Sequence, residues 1–179
     1  MRLSQVGAFQ RLAHALTMAD HRRVGRDAHP TGCVMDAQAA RSGGVGMASE
    51  RGYDPARRFG GRKRHTLTDT DGHLHVADVS PADLHGVHGG IALLPTPHGL
   101  FLFLTHCFVG RADRGERVGP TPATVVEINE CESSPKGLAV QRGRWGSART
   151  LSWISRRRLA CGDEATAPPG SASSCMLRP

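Results

Sequence analysis

Aromatic side chains make up only 4% of this 179-residue chain, with one tyrosine and two tryptophans among them, and hydrophobic residues reach only 39%. Little apolar bulk implies a modest core and much irregular chain. The 22 glycines and 11 prolines point the same way, since both favour turns over packed elements. Lysine is nearly absent, occurring only at Lys63 and Lys136. The five cysteines, Cys33, Cys107, Cys131, Cys161 and Cys175, are odd in number, and no pair has zinc-knuckle or redox spacing. No long hydrophobic run exists: the most apolar stretch, around Gly99–Val109, contains Thr105 and His106 and is too short to span a bilayer. Charges run through the first thirty residues, which lack the apolar core of a secretory leader. These absences exclude a disulfide scaffold and a helical membrane protein, and imply a cytoplasmic protein with reduced thiols.

What is present is arginine. The net charge is +7 and the pI about 9.9. The guanidinium is a planar fork of donors matched to phosphate, so a polyanion is a reasonable partner, with a plain solvated basic surface as the alternative. Residues 4–24 read as an amphipathic helix capped by Ser4, with Phe9, Leu12 and Leu16 at helical spacing and Arg22 and Arg23 near its end; His29-Pro30 breaks it. Residues 32–38 read as a buried strand delivering Asp36, and 41–61 as a Gly- and Arg-rich loop or lid. Residues 62–69 and 73–79 form a strand pair joined by Thr70-Asp71-Gly72, a strong hairpin signal. A helix over 82–94, a central strand over 100–109, a β-branched strand over 123–129, a short extended piece at 138–141 and a helix over 145–161 follow. Trp145 and Trp153 read as core anchors of that last helix. The composition of 163–179 is that of a disordered tail. This order suits a mixed α/β sheet with helices on its faces, as in the ribonuclease H-like fold, and divides the chain into a helical segment (1–30), a sheet domain (31–162) and a tail.

The stretch Arg51–Asp83 carries an ordered set of short motifs: Gly52-Tyr53-Asp54, Gly61-Arg62-Lys63-Arg64-His65, Asp69-Thr70, Gly72 and Pro81-Ala82-Asp83. This set closely resembles a signature of DDE-type transposases of small bacterial insertion sequences. The flanks agree: Val34-Met35-Asp36-Ala37-Gln38 resembles the strand that carries the family's first acid, Thr105-His106-Cys107-Phe108 the strand leading to the second, Val126-Glu127-Ile128 and Lys136-Gly137 the segment before the last helix, and Arg144-Trp145 to Thr150, then Trp153, the helix bearing the third. The resemblance covers about residues 6–166 and implies a ribonuclease H-like catalytic domain in a truncated, degenerate copy that starts just upstream of the first acid strand.

By resemblance, the activity is cleavage and strand transfer of double-stranded DNA at insertion-sequence ends, in the bacterial cytoplasm. Three carboxylates would gather two magnesium ions about 4 Å apart for in-line displacement at phosphorus. The first acid maps to Asp36. The second falls on Gly110, with Asp113 as a substitute only if the strand end is displaced. The third falls on Ala148. Metal stabilisation of the transition state is worth several kcal/mol and each ~1.4 kcal/mol a factor of ten in rate, so loss of two acids implies a copy impaired by more than ~10³-fold. The resemblance also places Arg62, Lys63, Arg64 and His65, read as a basic edge strand, together with Arg149, Arg156 and Arg157, near the DNA backbone; Arg158 extends the last cluster. Alternation puts Arg62 and Arg64 on one face and Lys63 and His65 on the other. Association with a second copy or with an intact transposase follows as a partner class.

The histidines suggest metal less strongly. His73 and His75 share a strand face and His85 and His88 lie a helical turn apart, but no cysteine or acid cluster completes either pair at zinc spacing, and Asp69, Asp78 and Asp83 read as turn or surface acids. Two competing functions remain: a non-catalytic DNA-binding remnant that interferes with an intact transposase, and the poorly folded product of a decayed reading frame. Salt-dependent DNA binding without cleavage separates the first from the family activity, and a cooperative melt separates the second from both.

Overall fold

The Asp-Gly turn is where the sheet begins. In the computed structural model, which describes residues 8–41, 51–94, 104–110, 125–128 and 144–156, the chain reverses at residues 70–73 with Gly72 at a φ of 91°. The turn joins β3 (Phe59–Asp69) to the antiparallel β4 (Leu74–Pro81). β3 also pairs antiparallel along its length with β1 (Gly32–Arg41), setting Met35 opposite Leu67 and Asp36 opposite Thr66. On its other edge β1 runs parallel to β5 (His106–Val109), and β5 parallel to β6 (Val125–Ile128). The order is therefore β4-β3-β1-β5-β6, antiparallel on one side of β1 and parallel on the other. This is the strand order and direction expected of a ribonuclease H-like sheet. A short β2 (Gly52–Asp54) continues the β4 edge beside Phe59–Gly61.

Alternation along β1 sends Cys33, Met35 and Ala39 to one face and Val34, Asp36 and Gln38 to the other. The first face holds the core: Cys33, Met35, Leu67, Leu94, Leu104, Cys107 and Val109, with Val76, Ile91 and Val126 packed against it. The short helix α2 (Gly86–Ile91) closes this face. Helix α3 (Arg144–Arg156) lies over the second face, where the Ser155 hydroxyl donates to Gln38 Oε1 at 2.9 Å. The helix α1 (Ala8–Arg23) meets β4. Cys33 and Cys107 sit side by side on β1 and β5, both fully buried free thiols; the Cys107 thiol beside it and then burial push the Cys33 thiol up.

Several expectations from the sequence are corrected. The 41–61 segment is not all loop. β2 and the start of β3 lie within it, turned by the Asp54 carboxylate, which accepts from the amides of Ala56 and Arg57. Two glycines at the start of β3 hide the strand signal, yet Gly61 is required there, because a Cβ would lie 2.1 Å from the Ala40 carbonyl oxygen.

The basic strand is not an edge. β3 lies between β1 and the β2/β4 edge, and Arg62, Arg64 and His65 are buried, leaving Lys63 the most open of the four. Trp145 and Trp153 are not core anchors: they stand 60% and 57% exposed, with the Arg149 guanidinium over both rings at 4.6 and 4.9 Å. Leu12 and Leu16 are likewise exposed. α1 docks through polar Thr17 and His21, whose ring meets Asp69 at the end of β3.

The helix expected over 82–94 is a six-residue turn of helix, the 100–109 strand is described only as β5, and the helix expected over 145–161 is described to Arg156. Ser4, Asp113, Arg157, Arg158, the 138–141 piece and the 163–179 tail lie outside the described residues.

Truncating Leu67, fully buried at the centre of the core, should cost about 2–5 kcal/mol as Leu67→Ala. Burial holds the His65 imidazole down at about 4, from an ordinary 6.5, and does the same to His75. The unfolded chain therefore takes up these protons first. Stability is whole above about pH 6.5 and falls as the pH drops towards about 4. Urea midpoints at about pH 7.5 and about pH 5 should show this loss, and His65→Gln should reduce it.

Candidate functional site

Asp36 sits mid-strand on β1 with its side chain 15% exposed under the start of α3. Its own neighbour fixes one oxygen: the Ala37 amide donates to Oδ1 at 2.9 Å. From α3 the Ser147 hydroxyl reaches Oδ2 at 3.2 Å, and the Arg144 guanidinium stands 3.5 Å from Oδ1. Arg144, Ser147 and Leu151 follow the i, i+3, i+7 spacing that keeps one face of a helix on one surface. From the end of β5, buried Gly110 completes the group; a Cβ built there would lie 3.3 Å from the Arg144 guanidinium carbon.

A backbone contact sets this arrangement. Gly72 in the hairpin turn and Gly146 in α3 touch without side chains: a Cβ on Gly72 would meet the Gly146 carbonyl oxygen at 2.7 Å. The Thr150 hydroxyl donates to the Gly72 carbonyl and Arg149 to the Asp71 carbonyl, pinning the helix lengthwise. The 70–72 turn, chosen by its hairpin chemistry, thereby positions α3 over Asp36.

The structure thus brings together the Asp36 and Gly110 positions that sequence motifs nominate, and brings the start of α3 to them. The register on α3 differs by one residue: Ala148 is exposed, and Ser147 is the side chain aimed at Asp36. One residue along a helix rotates a side chain by about 100°, which carries it off the inward face.

Magnesium wants hard oxygen donors, several of them charged. Among the described residues this group supplies one carboxylate and one hydroxyl, and a guanidinium stands beside the carboxylate. That donor set does not fit a pair of divalent ions. The Arg144–Asp36 contact is half-open and contributes at most about 1 kcal/mol to stability. Its larger consequence is electrostatic, since it offsets the Asp36 charge at this point.

Beside Asp36 lies an open cavity of about 350 Å³, with Arg57, Lys63 and Arg144 as its cations and Asp54 and Asp83 as further acids. The Lys63 ammonium donates to the Leu84 carbonyl at 2.7 Å. His65 faces inward, with Nδ1 donating to the Gly86 carbonyl at 3.2 Å and Nε2 2.8 Å from the Ser80 hydroxyl. Arg64 stands 3.5 Å from Gln38 Oε1. Arg149 and Arg156 are carried on α3, Arg149 stacked between the two exposed indoles and Arg156 exposed.

A second cluster escaped the sequence reading. Asp69, which reads as a turn acid, is 1% exposed and joins His21 of α1 to His73 beyond the turn. Burial alone would push its carboxyl up, but the His73 amide and the nearby imidazoles hold it below the usual carboxylate value. Only the hairpin signal hinted at this. His21 lies 48 residues from Asp69, beyond the reach of local spacing rules.

Compared with known families, residues 27–105 match the family model described as transposase DDE domain. Asp36, Asp69 and the whole hairpin fall within the match, and Gly110, Arg144 and Ser147 lie beyond it. No curated protein and no solved structure matches the chain.

The Gly72 contact makes a sharp expectation. Gly72→Ala places a methyl against the Gly146 carbonyl at a positive φ, and should destabilise the fold by about 1–3 kcal/mol. Hydrogen exchange should show α3 opening before β1 and β3 in that variant, because the helix loses its seat while the ladder does not.

Proposed function

We propose, from a chain whose residues 27–105 belong to the transposase DDE domain family, that this copy binds double-stranded DNA of the insertion-sequence type without cutting it. The observation that carries the reading is Arg144. Its guanidinium stands between Asp36 and the Gly110 backbone, where the family's chemistry calls for acids holding magnesium. A cationic side chain there repels a divalent ion and attracts a phosphate. The family's catalytic set is reduced to Asp36, with Asp113 outside the described residues, so the chain acts as an impaired transposase, a DNA-binding form of a strand-transfer enzyme.

Three features support the DNA partner. The charge is +7 and almost all of it is arginine. Lys63 and Arg57 line the cavity beside Asp36. On α3, Arg149 is stacked between Trp145 and Trp153, and exposed Arg156 follows on the same helix. This face offers indole surface and charge together, which suits a sugar–phosphate backbone. Buried Arg62, Arg64 and His65 are better assigned to holding β3 in the sheet than to touching DNA.

The test is a DNA-binding titration run beside a cleavage assay. Duplex affinity should fall about tenfold or more between 50 and 200 mM salt. Lys63→Ala and Arg156→Ala should weaken binding similarly for all sequences and reduce the salt slope by about one each. Supplying magnesium or manganese should yield no nicked or joined product. Robust metal-dependent cleavage by the unmodified chain would refute the impaired reading, and salt-insensitive binding would refute the DNA reading.

A further inference from the structure

The His21–Asp69–His73 cluster has a hydrogen-bond conflict. His21 Nδ1 lies 3.2 Å from the Ala28 carbonyl, which can only accept, so that nitrogen carries a hydrogen. His73 Nε2 lies 3.1 Å from the Asp20 carboxylate and is a donor for the same reason. The opposite nitrogens, His21 Nε2 and His73 Nδ1, face one oxygen, Asp69 Oδ2, at 2.9 and 2.8 Å. A neutral imidazole has a single N–H. With both spent outward, two nitrogen lone pairs point at a carboxylate lone pair inside a nearly buried site. A single cation held between the two rings, whose centroids are 5.3 Å apart, relieves this conflict.

We propose that this cluster is a binding site for a divalent transition-metal ion of the zinc class. The three ligand atoms lie within 4.8 Å of one another. Tetrahedral zinc with nitrogen and oxygen donors sets its ligand atoms roughly 3.3 Å apart, a few tenths of an ångström wider than the contacts here. Two imidazoles and one carboxylate select such an ion over magnesium, which prefers oxygen alone.

The outer contacts have the form metal-bound histidines show. Each ring's far nitrogen donates to a carbonyl or carboxylate that fixes its orientation and leaves the near nitrogen free to ligate. Asp71 Oδ2, held by Arg26 at 2.6 Å, lies 3.8 Å from His21 Nε2, so the fourth position falls to this carboxylate or to water. A cavity of about 360 Å³ lined by His21, Arg26 and Thr70 gives an entry path.

The site does not depend on the DNA reading. It joins α1 to the end of β3 and the hairpin turn, and so clips onto the sheet a helix whose Leu12 and Leu16 face solvent. The metal would be structural, ordering the turn on which α3 is seated.

The experiment uses the full chain without a histidine tag, stripped with chelator and titrated with zinc by calorimetry and with cobalt(II) by visible spectroscopy. One ion per chain should bind, giving tetrahedral d–d bands and no thiolate charge-transfer band, and should raise the melting temperature. His73→Ala should weaken zinc binding on the order of 100-fold or more, and Asp20→Asn, which only orients His73, by about tenfold. Asp36→Asn should bind zinc like the parent, separating this site from the other carboxylate. If His73→Ala fails to fold, the Asp20→Asn titration decides. A parent chain that binds zinc no more tightly than the His73→Ala and Asp20→Asn variants, or a cobalt spectrum dominated by thiolate, overturns the proposal.

Discussion

Two glycines touching backbone to backbone set the relation between the sheet and its last helix. Gly72 belongs to a turn whose geometry follows from hairpin chemistry, and Gly146 to a helix whose sequence is otherwise ordinary. Without Cβ atoms the helix settles directly on the turn, and hydrogen bonds from Arg149 and Thr150 fix its rotation. That rotation decides which residues look down on Asp36. Arg144 and Ser147 do, and Ala148 does not. The chemistry available at Asp36 is thus set by packing at a point more than thirty residues away along the chain.

The two central carboxylates of the sheet have opposite surroundings, although both lie on the β1–β3 ladder. Asp36 faces a permanent cation that no change of protonation removes. Asp69 faces two imidazoles, at 2.9 and 2.8 Å. One carboxylate thus lies under an arginine of the overlying helix, while a few residues along the ladder the other lies between two histidines. Both fall within the stretch that matches the transposase DDE domain model.

Much of the sheet was legible in the sequence. The Asp71-Gly72 turn located β3 and β4, the β-branched run located β6, and the order of elements along the chain pointed to a mixed sheet flanked by helices. The acid strand was placed, though its length was underestimated, because Ala39–Arg41 carry no apolar signal and are held by pairing to Gly61–Lys63. Side-chain environments were less legible. Arginines on β3 read as surface charge, yet the ladder on both edges buries them. Tryptophans read as core, yet α3 turns them outward, where Arg149 stacks on both. The His21–Asp69 link was invisible because nothing local relates a helix to a strand end 48 residues later. In the candidate site, Asp36 and Gly110 were readable from motif position, whereas the contact of Arg144 with Asp36 was not, since the matched helix motif does not say which of its side chains turn inward.

Cys33 and Cys107 lie abreast on the parallel strands at the centre of the molecule, sealed from solvent, with the Cys33 thiol held in its protonated form. Alkylating reagents attack thiolates, so neither sulfur can react while β1 and β5 remain zipped. The pair therefore acts as an internal clock: the rate at which these two sulfurs take up a label reports how often the middle of the sheet comes apart.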